Sequence, residues 1–179
     1  FVQKISEYIS KKVADKLTGM CKTDRESYEK YWDDISPFIK FGCIKDSKFA
    51  EKLHDYILFK DIDNKYLTLK DCIEQNKKAD TEEKAEDTEK TEDTEKKDEN
   101  KEPEKTTIFY VTDAVQQSQY INMFREAGKN AVILSHNIDT TFISHLEQKD
   151  QTIQFKRIDA DVTEELKGEG AADAETAKA

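Results

Sequence analysis

The chain has 179 residues, enough for one ordinary domain or two small ones, and it carries a net charge of −10 at pH 7. The acidic excess lies in residues 77–105 and 159–179, because residues 1–76 and 106–158 each contain equal numbers of acidic and basic side chains. The neutral charge of the predicted folded parts gives no support for nucleic-acid binding, which needs a basic stripe, and no apolar run approaches the ~20 residues that cross a bilayer.

The first part of the chain, residues 1–76, is predicted to be a block of helices. Over residues 1–22 the apolar side chains recur in steps of three and four, which places them along one side of a helix. These side chains are Val2, Ile5, Ile9, Val13, Leu17 and Met20. Lysine and acidic residues fill the other side, as is typical of an amphipathic helix.

Further helices are expected after the first. The second should begin at Thr23, a typical N-cap residue with a glutamate three positions later. Pro37 lacks a backbone N–H and should interrupt this helix, with a short continuation that ends at Gly42. The third helix should begin at residues 46–47, and a short extended piece at residues 66–67 should precede the last one.

Aromatic and cysteine side chains of this block are candidates for a ligand site. The aromatic residues are Tyr28, Tyr31, Trp32, Phe38 and Phe41. Their helical spacing favours a core, because large rings at this spacing pack well between helices. The cysteines are Cys21, Cys43 and Cys72. No two of them have the spacing of a metal-binding or redox pair, so we expect mostly buried free thiols in a reducing compartment.

The segment of residues 77–105 has an unusual composition. It contains thirteen acidic residues and eight lysines but no aromatic or branched aliphatic residue. Such a segment buries too little apolar surface to offset the entropy of ordering it. We therefore expect a solvated, disordered linker.

The part of the chain after the linker shows the alternation of strands and helices that is typical of an α/β unit. Strands are predicted at residues 107–111, 131–134 and 152–158, where β-branched and aromatic residues are enriched. Asp113 is expected to cap a helix that begins at the next residue, and Asp139 is expected to cap the helix after the second strand. Helical crossovers in the order β-α-β-α-β imply a three-stranded parallel sheet with its last strand at an edge.

The predicted fold class is thus α+β or α/β. A helical block should be followed by a small three-layer unit, and a disordered acidic linker should join the two. Four segments are expected along the chain. They are a helical block (1–76), an acidic low-complexity linker (77–105), a small α/β/α subdomain (106–160) and an acidic flexible tail (161–179). The small subdomain is expected to pack on the helical block, because some fifty residues bury little apolar surface alone.

The carboxyl ends of the predicted strands are the first place to look for a ligand site. These ends are Thr112, Asp113, Ser135, His136, Asn137 and Asp159. Asp113 could be the phospho-acceptor of a receiver-like module, but that chemistry needs a cluster of carboxylates and a positioned lysine, and neither is evident. A helix cap is therefore the favoured role of Asp113.

The histidines offer no clear catalytic set. His136 followed by Asp139 resembles half of a catalytic pair, but no serine or cysteine in a nucleophile context accompanies it. His54 and His145 lie alone on predicted helix faces, where surface or core roles are expected. No catalytic, cofactor-binding or metal-binding residue is predicted for this chain.

Several stretches of the sequence resemble the heat-shock protein 90 chaperones, most closely the bacterial high-temperature protein G (HtpG) branch. The stretches are residues 8–17, 24–32 and 39–43 in the helical block and residues 108–113, 138–140 and 155–159 after the linker. Together the matches cover most of residues 1–76 and 106–162, in the order of the family.

The resemblance implies that the chain is the carboxyl-terminal part of the middle domain of a longer, ATP-dependent chaperone. Such a parent is a cytoplasmic homodimer that binds partly folded client proteins and uses ATP with magnesium. Its nucleotide pocket and its dimerising helices lie in domains that this sequence does not match, and its catalytic-loop arginine precedes Phe1. The chain alone is therefore expected to be no enzyme, to hold no cofactor and to associate weakly. Its role would be to transmit ATPase-driven motion and to contribute to client binding.

Two alternatives stay open. Residues 77–105 depart from the family, whose other bacterial members have a much shorter connection, and they are either a solvated insertion or an electrostatic arm that contacts clients. The order β-α-β-α-β by itself would also suit a receiver-like or flavodoxin-like signalling or cofactor module fused to a helical bundle. That second function requires an acidic cluster or a phosphate-binding loop at the strand ends.

Overall fold

The computed structural model describes residues 1–77 and 105–160. The predicted tail, and the predicted linker except for its two end residues, lie outside the described residues. The elements are α1 (Val2–Thr23), α2 (Arg25–Lys45), α3 (Ser47–Leu53), a 3₁₀ turn (His54–Tyr56), β1 (Leu58–Asp61), β2 (Tyr66–Thr68), α4 (helical over residues 69–77), β3 (Thr106–Val111), α5 (Ser118–Glu126), β4 (Ala131–Ile133), α6 (Ile138–Lys149) and β5 (Ile153–Arg157).

The junction of α1 and α2 lies one residue later than predicted. Asp24 is the N-cap of α2, and its carboxylate accepts a hydrogen bond from the backbone N–H of Ser27 at 3.3 Å. Thr23, the predicted cap, is the last residue of α1, and its hydroxyl donates to the carbonyl oxygen of Gly19 at 2.8 Å. A threonine that bonds back into its own helix cannot cap the next one, so the aspartate takes that role.

Helix α2 continues through Pro37, so the predicted interruption there is wrong. A proline inside a helix costs about 3 kcal/mol because it removes one hydrogen bond and crowds the preceding turn. The buried side of α2 offsets this cost, since each large apolar side chain that is fully buried contributes roughly 1.5–3 kcal/mol. Trp32 and Ile39 are buried on either side of the proline, at 3% and 6% exposure.

The helix also continues past Gly42, where a stop was predicted, and ends at Lys45. Gly42 instead allows a close approach: a Cβ atom added to it would lie 2.8 Å from Cε1 of the Phe49 ring. Helix α3 begins where predicted, with Asp46 as its N-cap and hydrogen bonds from the N–H groups of Lys48 and Phe49 to its carboxylate. The glycine thus serves the packing of α3 on α2.

Two glycine substitutions should therefore have opposite effects on stability. Gly19→Ala should raise the free energy of unfolding by about 0.5–1 kcal/mol, because alanine favours a helix and nothing lies within 4 Å of its added Cβ. Gly42→Ala should lower it by about 1 kcal/mol or more, since overpacking against Phe49 outweighs the same helical gain. Urea midpoints at unchanged m-values would measure both. Equal shifts of the two midpoints would contradict the close packing at Gly42.

The sheet has five strands in the order β2-β1-β4-β3-β5. Strand β3 pairs in parallel with β4 and β5, and β5 lies at an edge, whereas β1 pairs antiparallel with both β2 and β4. The three predicted strands, β3, β4 and β5, are parallel as expected, but the prediction of a sheet with only three, all-parallel strands is wrong, because β1 and β2 add an antiparallel part. The two additional strands come from the predicted helical block, and the fold is mixed α+β.

The core continues from the helical block into the sheet. One cluster of buried side chains includes Tyr28 and Leu53 of the helical block together with Ile108 of β3 and Phe142 of α6. On β3, Ile108 and Tyr110 contact this cluster, while the alternate residue Val111 belongs to a smaller cluster with Ile121 of α5. Side chains of α1, α2, α3, α4 and α6 thus share the cluster on one face of the sheet, and α5 packs on the other face. The described parts of the chain share one packed body.

Candidate functional site

The carboxyl ends of β3, β4 and β5 lie at one edge of the sheet, because these strands run in the same direction. There Oε1 of Gln117 accepts hydrogen bonds from the backbone N–H groups of Thr112 and Asp113, at 2.9 and 3.2 Å. The Asp113 carboxylate accepts from the N–H groups of Val115 and Gln116, at 2.9 and 3.1 Å. Asp113 therefore caps a turn, and the predicted helix start directly after it is wrong, since α5 begins later.

Asp159 follows β5 at the same edge, and its carboxylate accepts from Nε of Arg157 at 2.5 Å. Burial acts to raise the pKa of Asp159, but hydrogen bonds from Arg157 and Gln117 outweigh it and hold the pKa below its ordinary value. Within residues 1–77 and 105–160, no three His, Cys, Asp or Glu side chains are grouped closely enough to hold a metal ion. The aspartates at this edge thus have structural partners.

A buried ion pair between Lys40 and Asp139 joins α2 to α6. The two residues are 4% and 1% exposed, and Nζ of Lys40 donates to Oδ1 of Asp139 at 2.5 Å. The second carboxylate oxygen, Oδ2, accepts from the backbone N–H of His136 at 2.9 Å. The rings of Phe59 and Phe142 lie 6.0 and 5.7 Å from Nζ of Lys40. Both charges are therefore removed from water and satisfied within the protein.

The structure corrects two predictions about Asp139. Helix α6 has Asn137 at its N-cap position, and Asp139 lies inside the first turn, so the predicted cap is misplaced. Nδ1 of His136 is 3.8 Å from Oδ2 of Asp139, too far for the hydrogen bond that a catalytic pair requires. Lys40, the actual partner of Asp139, was missed. The available signal was its position one helical turn after Ser36 and two turns after Trp32, on the buried side of α2.

A cavity of about 270 Å³ lies beside this pair, between α2, β1 and the start of α6. Charged side chains that line this cavity form ion pairs with one another. Lys40 pairs with Asp139, and Nζ of Lys60 lies 3.3 Å from Oδ2 of Asp33. These pairs leave little net charge to attract a ligand. We therefore assign the Lys40–Asp139 pair a structural role.

The aromatic residues of α2 divide into two sets. Tyr28 and Trp32 are buried, at 0% and 3% exposure, as the core interpretation predicted. The same interpretation is wrong for three others, which face solvent with exposures of 48%, 77% and 53%: they are Tyr31, Phe38 and Phe41. We call these three residues the α2 aromatic stripe. The first half of α1 also has an exposed apolar side, since Val2 and Ile9 are 79% and 55% exposed.

The three cysteines are free, and Cys43 and Cys72 are buried. Burial raises the pKa of the Cys43 thiol to about 11 and that of the Cys72 thiol to about 12. Both thiols are therefore protonated at neutral pH and are poor nucleophiles. None of the helices in the described ranges is long and apolar enough to cross a membrane.

Sequence comparisons give similarity to one chaperone family. Residues 1–83 match the model of the family described as Hsp90 protein. The chain is 32% identical over 166 residues to the chaperone protein HtpG of Bacteroides fragilis and 28% identical over 171 residues to that of Porphyromonas gingivalis. Each alignment covers 92% of this chain but only 21% of the relative. The chain thus spans about a fifth of the length of the curated relatives it matches.

A solved structure from a heat shock protein has a fold similar to that of this chain. The middle domain of a Plasmodium falciparum heat shock protein superposes with a TM-score of 0.55 at 16% sequence identity. The match covers 87% of this chain and 57% of that structure. At this identity the likeness shows the fold alone.

Proposed function

Because the chain belongs to the heat-shock protein 90 family, as part of the middle domain of an HtpG-type chaperone, we propose that it transmits ATPase-driven motion within a longer chaperone and contributes to the binding of unfolded clients. The parent would be a cytoplasmic homodimer that binds ATP and magnesium in another domain. The chain itself would be no enzyme and would hold no cofactor. Its partners would be partly folded clients and other domains of the same chaperone.

The observation that supports this role most strongly is the shared core with its buried ion pair. A segment that passes motion from one domain to another has to move as one body, since a segment that bends internally would dissipate the displacement. Lys40 and Asp139 lie in different helices 99 residues apart in sequence, yet they meet in the interior. The exposed apolar side chains of α1 and α2 support the client-binding part of the proposal, because large exposed apolar patches mark interaction sites.

Calorimetric titration of the chain with ATP and magnesium should show no binding, while the chain should slow the aggregation of a chemically reduced, partly unfolded test protein. Both results follow if the nucleotide site lies elsewhere and client contacts lie here. The control for the aggregation assay is an equal concentration of a folded protein without exposed apolar patches. Tight ATP binding, or aggregation as fast as with the control protein, would contradict the proposal.

A further inference from the structure

The α2 aromatic stripe has a regular geometry. Tyr31, Phe38 and Phe41 follow one another at spacings of seven and three residues, which places them on the same side of the helix. Tyr28 and Trp32, by contrast, are buried in the core. At a rise of 1.5 Å per residue the stripe is about 15 Å long. It is therefore an apolar strip on the surface of a helix, interrupted by the exposed Asp34.

The helix that carries the stripe is firmly held. Its other side contributes Lys40 to the buried ion pair and Tyr28 to the core, where the tyrosine hydroxyl donates to the carbonyl oxygen of Tyr56 at 2.6 Å. Helix α2 also contacts α1, α3 and α6. A rigid, preformed surface loses little entropy when a partner binds, so the stripe is suited to binding without folding.

Positive charge lies at both ends of the stripe. Nζ of Lys30 is 5.6 Å from the centre of the Tyr31 ring, and Nζ of Lys45 is 5.7 Å from the centre of the Phe41 ring. Two exposed acidic residues, Asp33 and Asp34, lie between the first two rings, and Asp33 is paired with Lys60. The two lysines are fifteen residues apart along α2, which corresponds to about 22 Å. An extended peptide covers that distance in about seven residues.

We infer that the α2 aromatic stripe binds extended, apolar peptide segments that carry acidic residues about seven positions apart. The rings supply the apolar contact, and Lys30 and Lys45 pair with the acidic residues at the two ends. This inference rests on the proposed function, since such segments would belong to unfolded clients, and it assigns that binding to named side chains. The exposed apolar patch gives affinity, and the charges give a preference among segments.

Two fluorescein-labelled peptides would test the inference by fluorescence polarisation with the complete chain. Both have the same central leucine and phenylalanine residues, and they are flanked either by glutamates or by lysines. The glutamate-flanked peptide should bind at least about fivefold more tightly, because opposite charges meet at both ends. Tighter binding of the lysine-flanked peptide, or of a labelled single-stranded oligonucleotide, would overturn the inference.

Substitutions would locate the binding surface. The variant Tyr31→Ser/Phe38→Ser/Phe41→Ser should bind the glutamate-flanked peptide at least about tenfold more weakly. Such a loss is expected when the aromatic side chains that a bound peptide covers are removed. Val115→Ser/Met123→Ser is the matched control, because those side chains are 84% and 57% exposed but lie elsewhere. It should bind as the unchanged chain does.

The contribution of the lysines can be separated from that of the rings. Lys30→Gln/Lys45→Gln should abolish the preference between the two peptides, whereas Lys4→Gln/Lys11→Gln on α1 should preserve it. If the stripe variant binds as well as the unchanged chain, the inference fails while the proposed client binding stands. If the unchanged chain binds neither peptide and also fails to slow aggregation of the test protein, the proposed client binding fails as well.

Discussion

Lys40→Met is expected to lower the free energy of unfolding by about 3–5 kcal/mol, because it leaves Asp139 as a buried charge without its partner. Asp139 is 1% exposed, so its carboxylate has little contact with water in the folded chain. Asp139→Leu should be damaging for the converse reason, since the Lys40 ammonium would then lie unpaired among the rings of Phe59 and Phe142. Urea unfolding followed by the fluorescence of Trp32 would measure both losses.

The exposed pair between Lys60 and Asp33 is the matched control. Nζ of Lys60 and Oδ2 of Asp33 are 3.3 Å apart, but the two side chains are 32% and 53% exposed. Lys60→Met should therefore change the free energy of unfolding by no more than about 1 kcal/mol, as is usual for ion pairs in contact with water. Equal losses in Lys40→Met and Lys60→Met would show that burial does not set the strength of the Lys40–Asp139 pair.

Phe142→Ala should be similarly damaging, with a loss of about 3–5 kcal/mol. Phe142 is 1% exposed and connects α6 to the core that includes residues of the helical block. Removing its ring opens a cavity where the two parts of the sequence meet, and the surrounding side chains refill it only in part. The loss should be seen as a lower urea midpoint at an unchanged m-value.

Phe38→Ala provides the comparison, because it removes the same side chain from the α2 aromatic stripe, where Phe38 is 77% exposed. This variant should stay within about 0.5 kcal/mol of the unchanged chain. A large loss in Phe38→Ala would mean that the stripe belongs to the core, and the binding surface inferred for it would then not exist.

Local patterns in the sequence identified most of the elements correctly. The period of the apolar residues in α1 and the β-branched runs in β3, β4 and β5 are strong local signals, and the structure has these elements where they were expected. Gly128 follows the end of α5 and has a positive φ of 69°, a backbone conformation that favours glycine. There the N–H of Lys129 donates to the carbonyl oxygen of Phe124 at 2.8 Å and closes the end of the helix.

Strand β1 was not predicted from the local sequence pattern, and β2 was predicted only as a short extended piece at residues 66–67. They have four and three residues, too few for an alternating pattern to stand out. Leu58 and Phe59 directly follow apolar residues of the predicted third helix. In the sequence they therefore look like a continuation of that helix. What makes them a strand is pairing with β4, in which Lys60 lies opposite Ile133. That partner is more than seventy residues away in the sequence, and a local pattern carries no information about it.

The candidate site, too, could be predicted from local sequence patterns only in part. Asp139 was singled out as a helix cap and as the acidic neighbour of His136, but its role depends on Lys40, which a sequence pattern marks only as a charge on the buried side of α2. The aromatic residues of α2 all have helical spacing, yet only some face inward. Tyr31 is adjacent to Trp32 and therefore points about 100° away from it, and that rotation decides between core and surface.

The most direct test of the account is the double variant Lys40→Met/Asp139→Leu, measured by urea unfolding beside the two single variants. Removing both buried charges should restore stability to within about 1 kcal/mol of the unchanged chain or exceed it, since a buried ion pair is often replaced by apolar residues at no loss. A favourable coupling of several kcal/mol between the two sites is therefore expected. Losses that simply add, with a coupling near zero, would contradict the claim that this pair joins the two parts of the sequence into one body.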